Sequence, residues 1–388
     1  MKMKVCYLCL NANPFFPSWS YQENCLPEQN VKDGHEAVVI ACKRIEKEFK
    51  KFAETEKYMN DDIALLENGV KLYRVKDKYK LPSVINRRIG SHRGVYEIIC
   101  REKPDVIFVH DPQGKDTDSA VRYKKKNPDV RLYVESHADY NNSAHFLLTE
   151  KILNRGIYKR RIRKNLPYFD RFFYVSRESG EFTKDLYGVP EQLMEFYPLG
   201  GYIVESDERE NIRTKFREKY KLNEDNIVMV HSGKMDGKKR TLDILEAFEK
   251  VQDSRFRLFI IGSFTEDVEK KVMPIINNDS RILYLGWKSS DELHEYLCAA
   301  DIYLQPGSQS ATMQNALCCG CPVMLFPYKS HEVYVKNNGF FVENAQDIQD
   351  AFEEIADKPE CLKAMSEASY VIARDLLDYR KLAARLYE

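Results

Sequence analysis

The sequence shows no excess of charge of either sign: Lys plus Arg and Asp plus Glu number 60 each among 388 residues. No global field therefore draws the chain to nucleic acid. The apolar run at the start breaks at Asn11 and Pro14. It is too short for a membrane span and lacks a small-residue cleavage site, so it reads as the first strand of a cytoplasmic protein. No repeat period or low-complexity tract is present. No GxGxxG follows the first strand, which disfavours a nicotinamide dehydrogenase, and GxxxxGK[ST] is absent, which excludes a P-loop. The ten cysteines are scattered rather than framed for disulfides. Cys318, Cys319 and Cys321 cluster, but adjacent cysteines are poorly placed on one tetrahedral metal and no second Cys/His pair follows them. Reduced thiols are the expectation.

What is present is ordinary globular composition, 43% hydrophobic and 31% charged, in a chain longer than one core usually spans. Strand-length apolar runs alternate with helical stretches, the pattern of parallel α/β sheets. The runs fall at residues 5–10, 37–41, 71–75, 106–109, 132–134 and 172–175. A second series follows at 227–231, 257–261, 282–285, 302–305, 323–326 and 340–342. Pro198-Leu199-Gly200-Gly201 and a charged run over 205–219 separate the two series. Breakers before a solvated helix suit a domain junction. The expected division is 1–202, 203–370, and a C-terminal helix over 371–388 that returns to the first domain. The expected fold is α/β, with two Rossmann-like doubly wound parallel-sheet domains facing across a cleft.

Two windows in the second half point to an anion. A buried strand runs from Ile227 into Gly233. A loop with Lys234, Lys238, Lys239 and Arg240 follows, then a helix whose Leu242, Leu245, Phe248 and Val251 recur at helical spacing. Thr241 or a residue just before it is the expected cap. Cations beside a helix start, at the carboxyl end of a parallel strand, make a phosphate site. The second window has a strand ending at Pro306, then Gly307, Ser308, Gln309, Ser310, Ala311 and Thr312, then a helix through Asn315 closed by Gly320-Cys321-Pro322. Its small loop residues let a ligand approach the backbone.

In the first half, a strand ends in Glu135-Ser136-His137-Ala138-Asp139, and the strand before it ends in His110-Asp111-Pro112. Both sets of polar residues lie at carboxyl ends of parallel strands, where open sheets bind ligands. His137 and Asp139 alone make a weak metal pair, and lysine charge makes a metal unnecessary. The loop after the first strand is aromatic, with Phe15, Phe16, Trp19 and Tyr21, and either covers an acceptor or plugs the wall.

Together these windows resemble the retaining GT-B glycosyltransferases of family 4 over nearly the whole chain. Gly233, Lys234 and Lys239 stand where that family holds the donor diphosphate. Phe259-Ile-Ile-Gly262, Leu285-Gly286-Trp287, Ala300-Asp301-Ile302, Gly320-Cys-Pro-Val323 and Gly34-His35-Glu36 match its landmarks in order. The family's two glutamates, eight residues apart, fall on Gly307 and Asn315, so both carboxylates are missing. Asn315 can still bond a ribose diol, and Ser308 or Gln309 must then replace the sugar contact.

The resemblance implies transfer of a sugar, with retention, from a UDP- or GDP-linked donor to a glycan or lipid-linked acceptor in cell-surface polysaccharide synthesis. It assigns His137, Lys239 and Lys234 to catalysis. Donor binding falls to Gly233, Lys234, Lys239, Ser308, Gln309, Ser310, Ala311, Thr312 and Asn315. His110, Asp111, Asp139, Trp19 and Tyr21 lie on the acceptor side. No metal, no cofactor beyond the donor and no nucleic acid are implied. Lys159, Arg160, Arg161, Arg163 and Lys164, with Ile157, Ile162 and Leu166, read either as a helix lying on the inner face of the membrane or as a solvated face. The alternatives in function are a catalytically weakened nucleotide-sugar-binding subunit and a GT-B sugar-nucleotide epimerase.

Overall fold

The computed structural model describes residues 2–11, 15–17, 19–44, 62–143 and 149–388. They fall into two compact units, one of residues 1–198 and 379–388, the other of residues 199–378. Among the described residues no helix is long and apolar enough to cross a membrane.

The first unit is built on an eight-stranded sheet: β1 (Lys4–Cys9), β2 (Glu36–Cys42), β3 (Ile63–Leu65), β4 (Lys71–Val75), β5 (Val106–His110), β6 (Arg131–Ser136), β7 (Arg171–Tyr174) and β8 (Met194–Phe196). Their order is β3-β4-β2-β1-β5-β6-β7-β8. Among the described strands only β3 runs antiparallel to its neighbour. The sequence pattern missed β3 and β8. Both are three-residue edge strands whose residues are half-buried or exposed, so they lack a continuous apolar run. The chain runs out from β1 through β2 to β4 and then returns to β5. This places the topological switch point between β1 and β5, and an α/β sheet opens its ligand crevice at such a point.

The chain's last residues complete this unit. Tyr379, Leu382, Ala383 and Leu386 are buried among Val5, Tyr7, Phe108 and Tyr197. Tyr197 donates its hydroxyl to the Leu382 carbonyl at 2.7 Å, and Arg385 bonds the Phe196 carbonyl at 2.8 Å. The preceding helix, Cys361–Leu376, stays in the second unit. There Ser366 and Ser369 donate to the carbonyls of Gly320 and Cys321.

The second sheet is wholly parallel: β9 (Ile227–Met235), β10 (Phe256–Phe264), β11 (Ile282–Tyr284), β12 (Ile302–Gln305), β13 (Val323–Leu325) and β14 (Gly339–Phe341). The order is β11-β10-β9-β12-β13-β14, so the switch point lies between β9 and β12. β9 runs on past Gly233, where the sequence pattern ends it, and carries Lys234 on the strand instead of in the loop. Its register with β10 continues to Met235 opposite Phe264, with Gly233 opposite Gly262. Both glycines have φ well inside the positive range, 134° and 140°. A Cβ on Gly262 would stand 1.8 Å from the Gly233 carbonyl oxygen, so the strands can approach there only without side chains.

The charged stretch expected to be a solvated helix is the helix Ser206–Tyr220, but one face is not free. Arg213 pairs with Asp301 at 2.7 Å, and Arg209 donates to the carbonyls of Cys298 and Ala300. Arginine at steps of four on one helical face acts here as a clamp on the entry to β12.

Candidate functional site

The β9/β12 switch point gathers the two windows singled out in the second half. Beyond Met235, Asp236 accepts a bond from the Lys238 amide at 3.0 Å and starts the tight 3-10 turn Gly237–Lys239. The turn directs neighbouring lysines differently. Lys238 is exposed, whereas Lys239 is 7% exposed. The Lys239 side chain lies over Gly233, where a Cβ would meet its Cε at 3.5 Å and its Nζ at 3.9 Å. Its ammonium donates to the Ser308 carbonyl at 3.1 Å. Burial pulls the Lys239 pKa below the usual lysine range, with Asp236 opposing that shift. Lys239 is thus a held, partly desolvated cation rather than the exposed lysine that a basic loop suggests. Lys234, on the strand, is exposed. Arg240 is occupied elsewhere, by Asp243 at 2.7 Å and the Glu343 carbonyl at 2.5 Å.

The helix Thr241–Lys250 takes the residue just before Thr241, Arg240, as its N-cap, in the left-handed region at φ 59°, but no side chain caps it. Thr241 instead donates its hydroxyl to His231 Nε2 at 3.0 Å, while His231 Nδ1 donates to the Leu304 carbonyl at 2.8 Å. Those two bonds fix one neutral tautomer. Burial, followed by the nearby Lys239 charge, pushes the His231 pKa down to about 4. His231 therefore joins β9, β12 and the helix start beneath the lysine. The sequence reading passed over it because it sits within an apolar strand run.

The loop after β12 packs directly on the turn. Ser308 N–H donates to the Lys238 carbonyl at 2.9 Å. Gly307 is so close that a Cβ there would stand 2.1 Å from that carbonyl oxygen. The family glutamate cannot occupy position 307 in this backbone. Gln309 donates its amide to Ser330 at 2.6 Å, and Ser310 and Thr312 share a hydroxyl bond at 3.1 Å. Ala311 and Asn315 are exposed, the latter on the helix Thr312–Cys318. The structure thus brings Gly233, Lys239 and Ser308 into contact.

In the first unit the predicted histidines meet a carboxylate that sequence reasoning left unassigned. Glu135, fully buried on β6, accepts from His110 Nδ1 at 2.8 Å and from His137 Nε2 at 2.9 Å. Burial acts to raise the Glu135 pKa, but the two histidines outweigh it and hold the carboxyl down at about 2. Burial likewise opposes protonation of His137, yet Glu135 and then Asp111 raise it to about 10. His137 is therefore an imidazolium at neutral pH. Asp111, at φ 57°, accepts the His137 amide at 3.3 Å. Glu23, on the helix Gln22–Lys32, comes within 4.8 Å of both imidazoles, a group that could hold a metal ion although each ring already donates one nitrogen to Glu135. Glu23 gives no local signal in sequence, since only the fold brings its helix to the ends of β5 and β6. Trp19 packs between Phe16, tilted at 4.6 Å, and Tyr21, edge-on at 5.1 Å. The Asp139 backbone carbonyl accepts the Ser143 amide at 3.0 Å.

Residues 212–371 match the family model for glycosyl transferases group 1. That span contains β9, the lysine turn, β12 and Asn315. No curated protein matches the chain. Among solved structures, Anabaena Alr3699/HepE in complex with UDP has a TM-score of 0.69 at 13% identity, over 99% of this chain and 98% of that one. Sucrose-phosphate synthase from Thermosynechococcus elongatus gives 0.68 at 12%, over 99% and 97%. A putative UDP-N-acetylglucosamine 2-epimerase from Listeria monocytogenes gives 0.60 at 13%, over 99% and 95%. The architecture is the GT-B arrangement of two parallel-sheet α/β units. At these identities the likeness speaks for fold alone, and the fold hosts both transferases and an epimerase.

Proposed function

We propose that this chain is a retaining glycosyltransferase that moves a sugar from a UDP- or GDP-linked donor to a glycan or lipid-linked acceptor, in cell-surface polysaccharide synthesis at the cytoplasmic face of the membrane. The observation that carries this reading is Lys239. A buried ammonium held over Gly233 at the β9/β12 switch point lies inside the segment that matches the group 1 glycosyl transferases. Negative charge grows on the leaving diphosphate as the sugar departs. A fixed cation in a dry setting interacts more strongly with that state than with the bound donor. The exposed Lys234 adds charge on the same strand, so the transfer step needs no divalent cation. His137, held charged by Glu135, takes the catalytic role that the resemblance assigns. Ile162 is buried in the first unit's core and Leu166 packs against it. Of the apolar residues named in this stretch only Ile157 is therefore exposed, beside Arg160 and Arg163, and an anionic surface is met chiefly by these charges. Arg161 is instead engaged by the Ile89 and Gln113 carbonyls.

A second reading rests on Gly307. With no room for the carboxylate that contacts sugar hydroxyls, the chain would bind a nucleotide-sugar without turning it over. One experiment separates the two. Purified protein is screened against UDP-, GDP- and ADP-sugars by thermal shift, since a ligand of the native state raises stability. Donor turnover is then measured with and without EDTA. Stabilisation with EDTA-resistant turnover supports the transferase. Stabilisation without turnover supports the binding subunit. Turnover abolished by EDTA and restored by magnesium or manganese overturns the lysine mechanism.

A further inference from the structure

A cluster outside the donor site has the composition of a metal centre. His294 and Cys298 stand four residues apart on the helix Ser290–Ala299, so both project from one face. Cys319, the C-cap residue just after the helix Thr312–Cys318, lies beside them. Cys298 Sγ lies 3.5 Å from His294 Nε2 and 3.6 Å from Cys319 Sγ. Cys319 Sγ lies 3.8 Å from His294 Nδ1. Both cysteines are buried free thiols and the histidine is half-buried. All three ligand atoms fall within 4.8 Å of one another.

The two separations from Cys298 Sγ, to His294 Nε2 and to Cys319 Sγ, match two edges of one coordination tetrahedron, and with one nitrogen taken from His294 the three ligand atoms stay within 4.8 Å of one another. With zinc–sulfur bonds of about 2.3 Å and zinc–nitrogen bonds of about 2.0–2.1 Å, ligand atoms stand roughly 3.5–3.8 Å apart. Charge also balances, because two thiolates and a neutral imidazole neutralise a dication, and a buried site tolerates only a compensated charge. Sulfur ligation selects a soft ion over magnesium or calcium.

We propose that His294, Cys298 and Cys319 bind one zinc ion, with a fourth position left for water, and that the ion ties the helix Ser290–Ala299 to the end of the helix Thr312–Cys318. Binding displaces the thiol protons and leaves the coordinating nitrogen of the imidazole unprotonated. The sequence reading looked for ligands among the adjacent cysteines 318, 319 and 321 and for a pair after them. The partner pair comes earlier, on a different helix, and only one of the adjacent cysteines takes part.

The test uses the full chain, stripped with a chelator under reductant and titrated with cobalt(II), then with zinc. The expected result is one ion per chain, with the intense near-ultraviolet band of thiolate-to-cobalt charge transfer and the visible bands of four-coordinate cobalt. Cys298→Ser and Cys319→Ser should each weaken the charge-transfer band and lower affinity. His294→Ala should lower affinity by more than about 100-fold, since loss of outer-shell partners alone costs about 10–100-fold. His294 is half-buried on a helix, so this variant keeps the test informative if a cysteine variant fails to fold. Cys100→Ser and Cys361→Ser should bind as the parent does. The proposal is overturned if the reduced parent takes up no cobalt, if binding survives His294→Ala and both cysteine changes, or if Cys298 and Cys319 are joined as a disulfide that reductant does not open.

Discussion

A Cβ on Gly307 would stand 2.1 Å from the carbonyl oxygen of Lys238. The loop after β12 and the turn after β9 therefore meet backbone to backbone, fastened by the Ser308 amide on that same carbonyl. The missing carboxylate at this position is a consequence of packing and not a single exchanged side chain. Gly307→Ala should cost about 1–3 kcal/mol by overpacking, and Gly307→Glu more. Neither should raise turnover. Chemical unfolding of both variants checks this, and a stable, more active Gly307→Glu would show that the two loops can part.

Lys238 and Lys239 are adjacent but differ in surroundings, which gives a paired test. Lys239→Ala should lower kcat by about two to three decades, as loss of one preorganised donor does. It should also reduce stability by more than the ~0.5 kcal/mol typical of surface changes, because its stem packs over Gly233. Lys238→Ala should leave both nearly unchanged. Steady-state kinetics and thermal melts of the two variants decide it. The reverse pattern would place the diphosphate against Lys238.

Asn315 is exposed on its helix, with Oδ1 3.2 Å from where a Gly201 Cβ would stand. If it bonds the donor ribose, that contact changes little as the sugar leaves and acts as uniform binding. Asn315→Ala should then raise the donor KM while kcat stays within about twofold. A fall in kcat at constant KM would move Asn315 from the ribose to the reacting sugar.

The pH dependence follows from His231, whose pKa falls from 6.5 to about 4 on folding. A histidine buried neutral contributes stability that is complete above pH 6.5 and is lost as pH drops toward 4, because the unfolded chain binds the proton more readily. Acid should therefore weaken the second unit across that interval. His231→Gln should flatten the profile there while lowering stability near neutrality, where the Leu304 or Thr241 bond is lost. Equilibrium unfolding at several pH values measures both, and an unchanged acid slope would show that His231 is not the group responsible.

The sequence by itself determined that the chain is α/β with two parallel sheets, because strands buried on both faces must be continuous apolar runs and those runs are written locally. It also singled out the loops at the strand ends, since glycines, lysines and histidines there are visible as such. It could not show that Lys239 is buried and Lys238 exposed, because a 3-10 turn capped by Asp236 sets that difference and both lysines read alike. Nor could it show the division before Tyr379, where no glycine or proline between Leu376 and Tyr379 marks the break between helices. Tertiary structure alone paired Gly233 with Gly262, set Gly307 against Lys238, brought Glu23 to His110 and His137, and placed Cys319 beside His294 and Cys298. Each of these joins residues far apart in the chain, and such contacts depend on strand order and helix packing, which local sequence does not encode.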